Sequence, residues 1–179
     1  MRSHEKTPCT ARCFFYTSMR VRTWYTLSME NLSIKYTVVT APADLELLAG
    51  NSASYEDKMF DFTPEYITEL QEKLEEPKAF QIIAKNDKGE FVGYIAASEI
   101  IFPDKLFIAE LFVNPVFSGQ GVATSLVEKS IAFAKQNELN GVMTETESDN
   151  IPAQKLYEKI GFKKIDNASW EGATYQYNF

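Results

Sequence analysis

The stretch from Leu106 to Ile165 constrains the fold most, because two short apolar runs are each followed by a turn and an amphipathic helical stripe. Leu106 to Val113 is nearly all apolar and interrupted only by Glu110, which gives it the length and character of a strand. It is far shorter than the ~20 apolar residues of a membrane span. After the loop Asn114-Pro115-Val116-Phe117-Ser118-Gly119-Gln120, the residues Val122, Leu126, Val127, Ile131 and Ala134 keep to one side of a helix beginning near Gly121. Lys129 and Lys135 lie toward its C-terminal end, where the helix dipole favours cations. Val142 to Thr146 reads as a second buried strand. Asn150 can then cap a helix carrying Pro152 in its first turn and Ala153, Leu156, Tyr157 and Ile160 at i, i+3, i+4 and i+7, with Gly161 ending it. A strand over Phe162 to Ile165 follows.

Upstream, the β-branched run Ile34 to Val39 predicts a strand, and Pro42 opens a short helical stretch through Leu48. Thr63 is placed to cap a helix with Pro64 first and Ile67, Leu70 and Leu74 on one face. Phe80 to Ala84 and Phe91 to Ala97 flank Asn86-Asp87-Lys88-Gly89, a cluster of hairpin-turn residues, and Tyr175 to Phe179 alternates as a last strand. The pattern predicts an α/β chain: hairpins first, then β-loop-α-β-α-β. No repeat or long linker follows Met29, so the expected organisation is an N-terminal extension over 1–28 and one domain over 29–179.

The charge divides at the same seam. Residues 1–28 hold five basic side chains, one acid, both cysteines and the only histidine, which leaves a net −11 over residues 29–179. Such a field disfavours nucleic acid and anionic membranes and favours cationic partners, although acidity also serves solubility. The extension is too weakly apolar at Cys13 to Tyr16 for a secretory signal. A transit peptide and a non-native or disordered extension ahead of a start near Met29 both remain open. His4, Cys9 and Cys13 have neither a fourth ligand nor a recognised spacing, so no metal is expected. Without histidine or cysteine after Cys13, the domain has no Ser-His-Asp or Cys-His mechanism, and a reducing, cytoplasmic setting is compatible with it.

Ser118-Gly119-Gln120-Gly121-Val122-Ala123 lies between strand and helix, where glycine backbone and free N–H groups can approach an anion. A tight entry turn explains the same residues. A dinucleotide fold would use an acid such as Glu145 or Glu147 on the next strand. Thr124 in place of a third glycine, the loop's late position and the little chain remaining all speak against it. A Walker loop fails because no Gly-Lys-Ser/Thr follows.

Leu111-Phe112-Val113-Asn114-Pro115, Gly119-Gln120-Gly121-Val122-Ala123, Asn150-Ile151-Pro152-Ala153 and Leu156-Tyr157-Glu158-Lys159-Ile160-Gly161-Phe162 together resemble the GNAT superfamily of acetyl-coenzyme A-dependent N-acetyltransferases. The resemblance is strong over about 106–166. It implies a mixed sheet that splays after the strand ending near Val113, with acetyl-CoA as co-substrate in the gap. Main-chain groups of Leu111 and Val113 would meet the pantetheine arm, as would Asn150. Amides from Gly119 to Thr124, with Gln120, Gly121, Val122 and Ala123 between them, would hold the pyrophosphate. Ser118 departs from the Arg or Gln usual in the family, which implies weaker binding there. Dimers are frequent among similar proteins, so a homodimer is a further expectation.

Acetyl transfer needs a neutral amine and a proton for the departing thiolate. A lysine-like amine with a pKa of about 10.4 is mostly charged at pH 7, so a base is required. Glu110 matches an acidic position often seen in the family and is the leading candidate, acting through water, with Glu145 and Glu147 as alternatives. A structural acid on a strand face is the competing reading. Tyr157 is the candidate acid: a phenol can donate to a thiolate, and the resemblance places it near the coenzyme sulfur. A core tyrosine would look the same in sequence. The acids and aromatics of Tyr55 to Phe62 point to a small cationic amine as acceptor, with a solvated loop as the alternative. A non-catalytic acetyl-CoA sensor is the second class of function.

Overall fold

The computed structural model describes residues 12–14, 33–49, 51–55, 58–99, 101–166 and 172–179. The strands are β1 (Arg12–Phe14), β2 (Ile34–Val38), β3 (Ser52–Tyr55), β4 (Lys58–Asp61), β5 (Phe80–Asn86), β6 (Phe91–Ser98), β7 (Lys105–Val113), β8 (Gly141–Thr146), β9 (Lys163–Ile165) and β10 (Ala173–Asn178). The helices are α1 (Pro42–Leu45), α2 (Pro64–Glu72), α3 (Val122–Gln136) and α4 (Ile151–Ile160). The main sheet runs β2-β5-β6-β7-β8-β10-β9, with β7 and β8 parallel and the other neighbours on this path antiparallel. It is the expected α/β architecture with a mixed sheet.

Local chemistry sets the boundaries. Thr63 Oγ1 accepts from Tyr66 N–H and Asn150 Oδ1 from Ala153 N–H, so both predicted caps form. Gly161 ends α4 at φ +109, a left-handed conformation that glycine adopts without a Cβ penalty. The stretch from Pro42 to Leu48 is α-helical only to Leu45 and finishes as a 3₁₀ turn.

The two faces of the sheet carry separate cores. On one, α3 and α4 pack Val122, Leu126, Val127, Ile131, Ala153 and Tyr157 against Ile82, Val92, Ile95 and Ile108. Each such fully buried aliphatic contributes about 1.5–3 kcal/mol. On the other, Leu45, Leu48, Ile67 and Leu70 pack against Ile83, Tyr94 and Phe112, with Phe62 edge-on to Phe91, Tyr94 and Phe112.

A β-bulge interrupts β7. Ala97 pairs with Ile108 but Ala96 pairs with Glu110, so Ala109 is the extra residue. Side-chain phase reverses there: Leu106 and Ile108 face α3 before the bulge, Leu111 and Val113 after it. Glu110 and Phe112 are thereby turned to the α2 face. Because β7 is apolar almost throughout, hydropathy alternation does not reveal this step.

Candidate active site

β7 and β8 pair only from Lys105 opposite Gly141 to Ile108 opposite Thr144. Beyond that point they part: Glu145 and Thr146 continue along β10, while Glu110 to Val113 stay with β6. The bulge at Ala109 lies one residue past the last pair, so the strand changes course where the fork opens. On the open edge of β7, the main chain of β1 runs parallel, with Arg12 opposite Glu110, Cys13 opposite Leu111 and Phe14 opposite Phe112. Val113 lies one residue beyond this pairing.

At the mouth of the fork, an open cavity of about 300 Å³ lies between the α3 entry loop and α4. Gly119 and Gly121 have φ of +77 and +80, and a Cβ at either would meet nothing within 4 Å. Glycine is therefore required there by backbone conformation and not by crowding. The first intrahelical bond of α3 runs from Ser125 N–H to the Gly121 carbonyl at 3.0 Å. The N–H groups of Val122, Ala123 and Thr124 have no carbonyl one turn back, and all three residues line the cavity with Ser118 and Gly119. Gln120 is exposed in the same loop but is not among the lining residues. Lys155 and Lys159, one turn apart on α4, face the loop across the cavity. They bring two lysine side chains to a site where Ser118 offers no charge, and their i, i+4 spacing on one helix face is visible in the sequence.

Tyr157 is fully buried, between the rings of Phe162 and Tyr175 at centroid distances of 5.5 and 5.7 Å. Its hydroxyl lies 3.5 Å from Thr144 Oγ1, which donates to the Ile108 carbonyl at 3.2 Å. The phenol thus sits at the last paired step of the fork. Tyr175 donates to Glu158 Oε1 at 3.0 Å; burial first, then the Glu158 carboxylate, push its phenol up to about 12. It stays neutral beside Tyr157 through the physiological range.

Glu110 is 8% exposed, and Lys73 Nζ, just past the end of α2, approaches its Oε1 to 3.4 Å. Beneath it, Tyr94 donates to Gln81 Oε1 at 2.7 Å, and Gln81 Nε2 donates to the Leu70 carbonyl at 2.9 Å. This chain of bonds ties α2 to the sheet. Burial, and secondly the charge of Glu110, raise the Tyr94 phenol well above its usual range. Glu110 therefore lies on the α2 face and Tyr157 on the α4 face, at the fork from opposite sides. Lys73 escaped the sequence reading because 37 residues separate it from Glu110.

The remaining candidates distribute unevenly. Glu145 is buried on β8 and accepts from Thr174 Oγ1 at 3.4 Å. Glu147, expected on that strand, lies beyond its end at Thr146 and is exposed, because the strand loses its β10 partner at Ala173. Asn150 spends its side-chain oxygen on the α4 cap. Of the stretch from Tyr55 to Phe62, Tyr55 ends β3 and Lys58–Asp61 form β4, paired from Ser52 with Asp61 to Tyr55 with Lys58. Ser52, Ala53, Ser54 and Asp61 have little strand propensity, so composition does not reveal this pair of strands. Glu56 and Asp57, like His4 and Cys9 of the extension, lie outside the described residues. No described helix is long and apolar enough to cross a membrane.

Comparison with known proteins bears on the fold and the family. The chain is 37% identical over 73 residues to a streptothricin acetyltransferase of Escherichia coli, covering 41% of each chain. It is 31% identical over 78 residues to the N-acetylaspartate synthetase of Danio rerio, covering 44% of this chain and 28% of that one. It thus spans well under two thirds of the length of these curated relatives. Among solved structures, an acetyltransferase of Bacillus anthracis str. Ames in complex with acetyl coenzyme A has the same fold, with a TM-score of 0.62 at 17% identity over 84% of this chain and 99% of that one. The family model described as the acetyltransferase (GNAT) family matches residues 47–162, well over half of the sequence, and the chain belongs to that family.

Proposed function

We propose that the domain transfers the acetyl group of acetyl-CoA to a primary amine of a small cationic acceptor, by direct attack within a ternary complex. The observation that carries this reading is the fork itself: amides and lysines at its mouth, a buried phenol at its base and a buried carboxylate on the opposite face. The pyrophosphate would meet the N–H groups of Gly119 to Thr124, supplemented by Lys155 and Lys159. The pantetheine arm would run along β7 beside Leu111 and Val113, which requires Arg12–Phe14 to leave that edge.

In the proposed reaction Glu110, through water, takes a proton from the acceptor ammonium. The amine nitrogen bonds to the acetyl carbonyl carbon, the carbon–sulfur bond breaks, and Tyr157 gives its proton to the thiolate. The net −11 of residues 29–179 supports a cationic acceptor by raising its local concentration. Calorimetry with acetyl-CoA followed by a thiol-release assay on pooled polyamines, aminoglycosides, amino acids and basic peptides tests the reading. Binding with amine-dependent thiol release is expected. Binding without release for every amine would favour a sensor.

A further inference from the structure

We infer that Lys73 and Glu110 together recognise a basic α-amino acid as acceptor, Lys73 taking its carboxylate and Glu110 the adjacent amine. This rests on the acetyl-transfer reading and narrows its acceptor. The pair is separated by 3.4 Å, longer than the 2.7–2.9 Å of a close charge-assisted bond, and its two partners are unequal. The Glu110 side chain is 10% exposed and the Lys73 side chain 25%. The carboxylate is thus held within the fold, while the ammonium is the partner with solvent access and a flexible four-carbon stem.

A zwitterion presents the same two charges in the reverse order. Inserted between them, its ammonium faces Glu110 and its carboxylate faces Lys73, so both members of the pair keep an opposite neighbour. An amine lacking the carboxylate has no such arrangement: it must displace Lys73 from Glu110 or lie beside a like charge. Selection therefore resides in the carboxylate next to the reacting amine. The positive charge favoured by the acidic domain is carried elsewhere, on the acceptor's side chain.

Arginine and agmatine separate these features, because each has one amine that can be acetylated and they differ only in the α-carboxylate. Lysine with cadaverine and ornithine with putrescine extend the test. kcat/KM is expected to be about 10- to 100-fold higher for the amino acid in each pair, the value of one hydrogen bond between charged groups. Lys73→Met should bring the ratio below about threefold by lowering the amino-acid rate while that of the decarboxylated amine rises, and Lys73→Arg should retain most of the ratio, a rescue that loss of packing would not show. Equal or better rates with agmatine, an equal loss for both members of a pair in Lys73→Met, or acetylation of other amines with all six compounds inert would overturn the inference while leaving acetyl transfer intact. Absence of thiol release with any amine would overturn the transfer reading, and this inference with it.

Discussion

The two faces of the sheet present opposite kinds of evidence. On the α3/α4 face, the loop, the helix start and Tyr157 come from one continuous stretch, and neighbours in sequence are neighbours in space. On the α1/α2 face, Glu110 meets Lys73 from the end of α2, over a layer in which Gln81 bonds both Tyr94 of β6 and the α2 main chain. A site assembled by local connectivity announces itself as a motif. One assembled across a sheet does not, and its specificity can change without disturbing the motif.

The largest test of that division removes the proton donor on the first face. Tyr157→Phe should retain acetyl-CoA binding by calorimetry and lower kcat by about 10²–10⁴-fold, the span of a general acid. An unchanged kcat across the pH range would return Tyr157 to the core. On the second face, Glu110→Gln should lower kcat by about 10²-fold near pH 7 and recover in part at high pH, where the acceptor amine sheds its own proton. A flat pH response would remove Glu110 from the proton transfer.

The fold was legible wherever periodicity and end signals agreed. Thr63, Asn150 and Gly161 each sit at a helix end because a side chain or a left-handed backbone satisfies it, and all three were readable. The bulge at Ala109 was not, since an apolar residue fits either face of a strand covered on both sides. Nor was the β3–β4 hairpin, whose small and acidic residues have little strand propensity. Of the site, Tyr157, Glu110 and the glycine loop were readable as candidates. Lys73 was not, because only tertiary packing brings α2 to β7.

Smaller effects sharpen the comparison. Exchanging Lys155 and Lys159 together for Met should raise the KM for acetyl-CoA by about 3- to 10-fold and leave the KM for the amine unchanged, as expected for solvent-screened charge pairs. A change confined to the amine would place both lysines outside the cofactor site. The smallest expected effect concerns α1. Backbone N–H groups of Thr40 and Ala41 donate to Asp44 Oδ2 at 2.8 and 3.0 Å and hold its carboxyl below the usual aspartate range. A folded-state value lowered in this way contributes stability above the unfolded value and loses it as pH falls through the folded one. The gap in urea midpoint between the native chain and Asp44→Asn should therefore be present at pH 6 and close on acidification. A gap that widens would reverse the assignment.

Amide hydrogen exchange with and without acetyl-CoA tests the central claim, that the cofactor occupies the fork on the α4 side. The expected result is slowed exchange at Gly119 to Thr124 and faster exchange at Arg12–Phe14 as that strand gives up the β7 edge, with α2 unaffected. Protection confined to α2 and the β3–β4 hairpin, with no change at the loop, would contradict it.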